Sequence, residues 1–265
     1  MSKKVAIVTG GTSGSGRATA LALQERGYTV YELSRRAEGM PDIRHIVADI
    51  TKEETLQAAV EQVLAVEGRL DLVVNNAGFG ISGAIEFTDT QEAQRLFDTL
   101  FFGMVRMNRC VIPLMRQQGR GRIVNISSVA APVPIPFQAY YSAGKAAINA
   151  YTMALANELR PFGVTVCAVM PGDIKTGFTA ARHKIIDGDD IYQGRIGRSV
   201  QRMEHDEQTG MDPAKVGRYI AAVASREGSH HPLYATRIDY KFFVFLTKVL
   251  PARFLNWLIY QLYGK

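Results

Sequence analysis

From Val5 to Thr9 the chain is an unbroken β-branched apolar run that stops at Gly10-Gly11-Thr12-Ser13-Gly14-Ser15-Gly16. A short apolar run ended by glycines predicts a buried strand feeding a turn. Arg17 to Arg26 then places Ala18, Leu21, Ala22 and Leu23 at helical spacing and stops at Gly27, and Tyr28 to Leu33 reads as a second strand, completing a βαβ unit. The same alternation predicts a strand at His45–Ala48, a helix at Glu53–Glu67 and a strand at Leu70–Val74. It continues with one long helix from Thr90 to Gln118, a strand at Arg122–Ile126, a helix from Tyr140 to Leu159 and a strand at Val164–Val169. Val- and Ile-rich strands without polar alternation, separated by helices, predict an α/β fold: a single doubly wound parallel sheet covered on both faces.

The last third has a different texture. Pro171 to Gln208 mixes glycine, charge and scattered apolar residues without a period, which predicts a loop over the substrate region. Asp212-Pro213 supplies an N-cap and first position for a helix through Ala224. Lys241 to Lys265 carries seven aromatics and no acidic residue, but Lys248, Pro251, Arg253 and Asn256 interrupt any span of about 20 apolar residues, so a helical tail rather than a membrane crossing is expected. Nothing marks an internal boundary, and residues 1–265 read as one domain with a variable substrate region from about 178 to 265.

The chemistry begins at the first turn. Glycines there let backbone approach a pyrophosphate whose charge is favoured by the following helix N-terminus. Tyr141 and Lys145 sit at i and i+4 and share a helix face, where an ammonium is expected to favour phenolate and lower the tyrosine pKa. Ser128 follows a strand at the carboxyl edge of the sheet, where its hydroxyl can donate to a carbonyl oxygen.

Taken together the spacing resembles the classical short-chain dehydrogenase/reductase family, over roughly residues 3 to 178. The matching residues are Thr9-Gly10-x-x-x-Gly14-x-Gly16, Asp49, Asn75-Asn76-Ala77-Gly78, Ser128, Tyr141-x-x-x-Lys145 and Pro171-Gly172-Asp173-Ile174-Lys175-Thr176. The resemblance implies hydride transfer at a carbonyl or secondary alcohol, with Tyr141 as proton donor or acceptor, Ser128 polarising the carbonyl and Lys145 also holding the nicotinamide ribose. It implies a cofactor site formed by Thr9, Gly10, Thr12, Ser13, Gly14, Ser15, Gly16, Ser34, Arg35, Arg36, Asp49, Ile50, Asn75, Ala77, Gly78, Tyr141, Lys145, Pro171, Gly172, Ile174 and Thr176. Asp49 would contact the adenine region, Asn75 would brace the adenosine side, and Ile174 and Thr176 would face the carboxamide.

By family alignment Ser34 stands where an NAD-binding acid is usual, and Arg35 and Arg36 follow, so NADP is the expected cofactor, with Arg35 on the 2'-phosphate. Glu32 is expected to face away from that site by strand alternation. Two residues depart from the family pattern. Leu100 stands where an Asn usually helps a water reach the lysine, implying slower turnover rather than a silent site. Ser15 replaces an Ile in the glycine turn and is expected to loosen the packing beneath the cofactor.

Pro132 to Phe137 beside Ser128, with the aromatic tail, suit a bulky hydrophobic substrate, and the pattern looks more like the hydroxysteroid and retinol dehydrogenase side of the family. The rivals are a general small-carbonyl reductase and a catalytically weak NADP-binding sensor or scaffold, which Leu100 alone favours. The tail is expected to act as lid or subunit contact in a homodimer or homotetramer, ahead of peripheral membrane contact. Charge changes little: 31 Lys and Arg against 25 Asp and Glu give +6, dispersed rather than gathered, and nucleic acid is not an expected partner. His183, His205, His230 and His231 lack metal spacing, so no metal is assigned. Two cysteines and the absence of a signal-like apolar stretch point to a cytoplasmic protein.

Overall fold

The computed structural model describes residues 3–226 and 231–265, so His230 lies outside the described residues. The first half alternates as β1 (Val5–Thr9), α1 (Gly14–Glu25), β2 (Thr29–Ser34), β3 (Arg44–Val47), α2 (Glu53–Glu67) and β4 (Leu72–Asn75). A two-residue strand β5 (Ile81–Ser82) precedes α3 (Thr90–Phe97) and α4 (Gly103–Gln117), followed by β6 (Gly121–Ile126), α5 (Ala139–Leu159) and β7 (Val164–Met170). The last third holds α6 (Phe178–Ala181), β8 (His183–Lys184), α7 (Arg195–Gln208), α8 (Pro213–Ser225), β9 (Leu233–Ala235), α9 (Ile238–Val249) and α10 (Ala252–Ile259).

Seven strands form one sheet in the order β3-β2-β1-β4-β6-β7-β9, every neighbouring pair parallel. This is the doubly wound order, with the topological switch between β1 and β4. Alternation along each strand feeds two cores. Val5 and Ile7 of β1 join Leu56, Val60, Met107 and Val111 on the α2–α4 side. Ala6 and Val8 join Leu23 of α1 and Ile220 of α8 on the other. Each fully buried Val, Leu or Ile contributes about 1.5–3 kcal/mol, so the two-sided burial of β1 fixes its register firmly. The caps agree with the sequence: Asp212 accepts from the Ala214 amide with Pro213 at the first position of α8, and Gly68 ends α2 in the left-handed conformation.

Three expectations are corrected. The long helix is not continuous: α3 and α4 are separated by a π turn at Asp98–Phe102, a widening that periodicity averages away. Residues 171–208 are not one loop, because α7 buries Ile196, Val200 and Met203 on a helix whose remaining positions are strongly charged. Strand β9 adds a seventh member to the sheet, three residues paired to β7, too short to carry an alternation signal. Among the described residues no helix is long and apolar enough to cross a membrane.

Candidate active site

The carboxyl ends of β1, β2, β4, β6 and β7 open into one cavity of about 920 Å³. At one end are the glycine turn, Ser34, Arg35, Arg36, Asp49 and Ile50; at the other are Ser128, Tyr141 and Lys145. Ala77, Gly78, Pro171, Gly172, Ile174 and Thr176 line it between them. Gly10 and Gly14 hold φ of 68° and 55°, a left-handed conformation that other residues adopt only with strain. A Cβ on Gly16 would come within 2.3 Å of the Gly10 carbonyl oxygen, so this position keeps α1 tight against the turn.

Two of the residues implied by the resemblance lie outside the cavity. Gly16 packs beneath the turn. Asn75 is buried on the opposite face of β4, where its amide donates to Asn108 Oδ1 at 2.8 Å and Asn125 Oδ1 at 2.9 Å. Alternation explains this, because Val73 and Asn75 share the α4 side of the strand. The neighbouring Asn76 lines the cavity instead and donates to the carbonyl oxygens of Thr9 and Gly10 at 3.1 and 3.3 Å. Ser15 does not loosen the turn: its hydroxyl donates to Asn76 Oδ1 at 2.9 Å and ties α1 to the segment after β4.

The first turn of α1 carries no acidic residue and Ser13 makes no side-chain cap, which leaves its amides and positive dipole end facing the cavity. Arg35 and Arg36 are exposed at the rim. Partial burial pushes the Asp49 pKa up, but bonds from the Thr51 amide and hydroxyl at 3.0 and 2.8 Å, with the Arg35 charge, hold it below the usual carboxylate range. Glu32 is absent from the lining, fully buried under Gly11 and paired with His45. A nicotinamide dinucleotide therefore fits this chain: the α1 amides and glycines suit its pyrophosphate, Asp49 its adenosine side and Lys145 its second ribose.

At the other end Ser128 lies close enough to Tyr141 to lower its pKa, and Lys145 Nζ donates to the Ile126 carbonyl at 2.8 Å while lying 5.5 Å from the Tyr141 ring centroid. Burial pushes the Tyr141 pKa up to about 12, outweighing the Ser128 hydroxyl that lowers it, and pushes Lys145 down to about 7. The expectation that Lys145 lowers the tyrosine pKa is corrected here, since both groups are withdrawn from water and the desolvation of each favours its neutral form.

Leu100 is 2% exposed in the π turn, and a Cβ on Gly78 would stand 2.4 Å from its Cδ2. The helix does open at this point, but the position is filled by hydrocarbon rather than by a polar side chain. The tail lines the cavity, as the lid expectation has it for Phe243, Leu255, Leu258 and Ile259, whereas Phe79, Tyr240, Leu262 and Tyr263 were not singled out from sequence. Phe79, Phe178, Tyr240, Phe243, Leu255, Leu258, Ile259, Leu262 and Tyr263 line it, together with two acidic residues, Asp173 and Glu207. The Tyr240 hydroxyl accepts from the Asp173 amide and donates to its carboxylate at 3.1 and 3.2 Å, and its ring stacks so closely on Gly172 that a Cβ there would meet it at 2.0 Å. Tyr263 donates to Asp206 at 2.9 Å and Arg195 to the Gly264 carbonyl at 2.6 Å, anchoring the chain end across α7. The aromatic excess of the tail was the available signal, but its pairing with α7 is a tertiary matter.

Residues 4–185 match the short chain dehydrogenase family. A 3-ketodihydrosphingosine reductase of Bacteroides thetaiotaomicron is 38% identical across 97% of this chain and 94% of its own. Among solved structures, a short-chain dehydrogenase from Streptomyces avermitilis superposes with a TM-score of 0.84 at 33% identity, covering 98% of this chain and 97% of that one. ElxO with NADP bound superposes at 0.75 with 25% identity over 91% of this chain and 100% of its own, and a neighbour from Burkholderia phymatum sharing the fold carries NAD. The chain belongs to the short-chain dehydrogenase/reductase family, oxidoreductases that transfer a hydride with a nicotinamide cofactor.

Proposed function

We propose that this protein is an NADP(H)-dependent reductase of a long-chain, lipid-like ketone, with Ser128, Tyr141 and Lys145 as its catalytic residues. The observation that carries the reading is the two-ended cavity, with exposed Arg35 and Arg36 at its nucleotide end and a wall of α9–α10 side chains at the other. The bound dinucleotide supplies the hydride. The chain's own task is to orient the carbonyl and deliver a proton. Ser128 donates to the carbonyl oxygen, and Tyr141, whose raised pKa keeps its proton at neutral pH, gives that proton to the developing alkoxide. Lys145 braces the ribose and fixes the tyrosine geometry from the next helical turn.

Substrate class follows from the lining. Phe243, Leu255, Leu258 and Leu262 suit an alkyl chain, while Asp173 with the Tyr240 hydroxyl, and Glu207 paired with Arg182, put polar groups near Tyr141, which suits a polar group close to the carbonyl. The 38% identical relative, named for a 3-keto sphingoid base, supports an amphiphile of that kind. Cofactor choice rests on Arg35, whose guanidinium fork can bond a 2'-phosphate that a hydroxyl cannot replace. Two free cysteines, Cys110 and Cys167, fit a reducing cytoplasm.

The test is consumption of NADPH and NADH by purified protein against 3-ketodihydrosphingosine, an uncharged long-chain ketone, a steroid ketone and a short aldehyde. The reading expects the highest kcat/KM for the sphingoid base with NADPH. A preference for the short aldehyde would favour a general carbonyl reductase, and no turnover with any carbonyl would favour a sensor.

A further inference from the structure

The C-terminal helices carry two different faces. Their inner face is the cavity wall: Phe243 from α9, and Leu255, Leu258 and Ile259 from α10. The outer face holds Ile238, Phe242, Phe245 and Val249 of α9, at 83, 59, 55 and 56% exposure. Their spacings of four, three and four residues place them in one stripe along the helix. On α10 the Phe254 and Trp257 rings stack at 5.8 Å and are 48 and 54% exposed. Exposed aromatic and aliphatic groups gathered on two consecutive helices mark a contact site.

The charges narrow what the contact is. Lys241 and Lys248 fall beside the α9 stripe and Arg253 begins α10, all three exposed. No acidic residue occurs from Tyr240 to Lys265. A second copy seated on this face through a two-fold axis would bring a cation-rich surface against itself, the one carboxylate of α9, Asp239, being already paired with Arg237, and like charges brought together out of water are strongly unfavourable. A surface offering negative charge beside hydrocarbon satisfies both components at once. Helices with aromatics on one side and flanking Lys and Arg lie in the interface of anionic bilayers, and neither α9 nor α10 is long enough to cross one.

We propose that the outer face of α9–α10 docks on an anionic membrane surface, laying the wall of the active-site cavity against the lipid. A further consequence, which alone rests on the function proposed above, is that a lipid-borne ketone enters between these helices without crossing water. Docking itself requires no substrate and is measured separately from activity.

Trp257 is the chain's single tryptophan and lies on the docking face, so it reports contact directly. The full-length protein is mixed with phosphatidylcholine vesicles or with vesicles containing phosphatidylglycerol, then followed by flotation and tryptophan emission. The expected result is flotation and a blue shift with anionic vesicles only, both reduced by high salt. Phe242→Ser/Phe245→Ser and Lys241→Glu/Lys248→Glu change only outer-face residues. Each is expected to lower the bound fraction severalfold, with the unfolding temperature and NADPH binding kept as checks on the fold. Absence of flotation by the wild type, or wild-type flotation by both variants, overturns the proposal. So does a dimer in sedimentation that the variants dissociate while vesicle binding is unchanged, because the face then belongs to a second copy.

Discussion

Tyr141 and Lys145 stand one helical turn apart on α5, and withdrawal from water drives their pKa values in opposite directions, up to about 12 and down to about 7. The lysine shift has a stability consequence. Unfolded, Lys145 returns to about 10.4, so between about pH 7 and pH 10 the unfolded chain holds more protons at this site and stability rises with pH. Below about pH 7 both states are protonated and the contribution is flat. Urea unfolding of wild type and Lys145→Met at about pH 6 and about pH 9 should show the wild type gaining on the variant as pH rises; a difference independent of pH would contradict the shift. At the other end of the cavity, Arg35→Ala should remove charge-assisted bonds of about 1.5–3 kcal/mol, shrinking the NADPH-over-NADH ratio of kcat/KM by about 10- to 150-fold. A wild type with no preference between the two cofactors would already oppose that assignment.

At the scale of elements, the π turn between α3 and α4 decides what Leu100 does. It is packed against Gly78 and belongs to a cluster with Ile81, Leu96 and Ile185, so it is a core residue as well as a cavity residue. Leu100→Asn should therefore cost about 2–4 kcal/mol of stability, from lost burial and an amide without ready partners, and should not raise turnover. A stable variant with faster turnover would show that a water path through this turn limits the wild type. The lid makes a second prediction: Phe243→Ala/Leu258→Ala should raise KM for a long-chain ketone by about tenfold and leave a short aldehyde unaffected, because a methylene's worth of apolar fit against an alkyl chain is about 1–3 kcal/mol. These elements also mark what was legible in advance. β1, the glycine turn and the Tyr141–Lys145 helix were readable because each is specified by residues close in sequence. The π turn was not, because 3.6-residue spacing continues on both sides of it, and Asn75 misled because a motif names a segment while strand alternation decides which side chain reaches the cleft. Helix α7 hid among charges, since only the folded molecule supplies the partners toward which they turn, Tyr263 of the tail for Asp206 and Thr179 and Arg182 for Glu207.

For the whole molecule, the sheet supplies a cleft at its carboxyl edge, and the last 26 residues add a largely apolar wall to it. Strand order and the switch between β1 and β4 bring the glycine turn and Tyr141 into the lining of one cavity. The central claim is that Tyr141 delivers the proton to a carbonyl held there. Steady-state NADPH oxidation by wild type and Tyr141→Phe with the best long-chain ketone tests it most directly, alongside the NADPH dissociation constant of each. The account predicts a fall in kcat of about 10²- to 10⁴-fold, the usual worth of a positioned acid, with NADPH affinity within about twofold. A Tyr141→Phe enzyme with near wild-type kcat would contradict it.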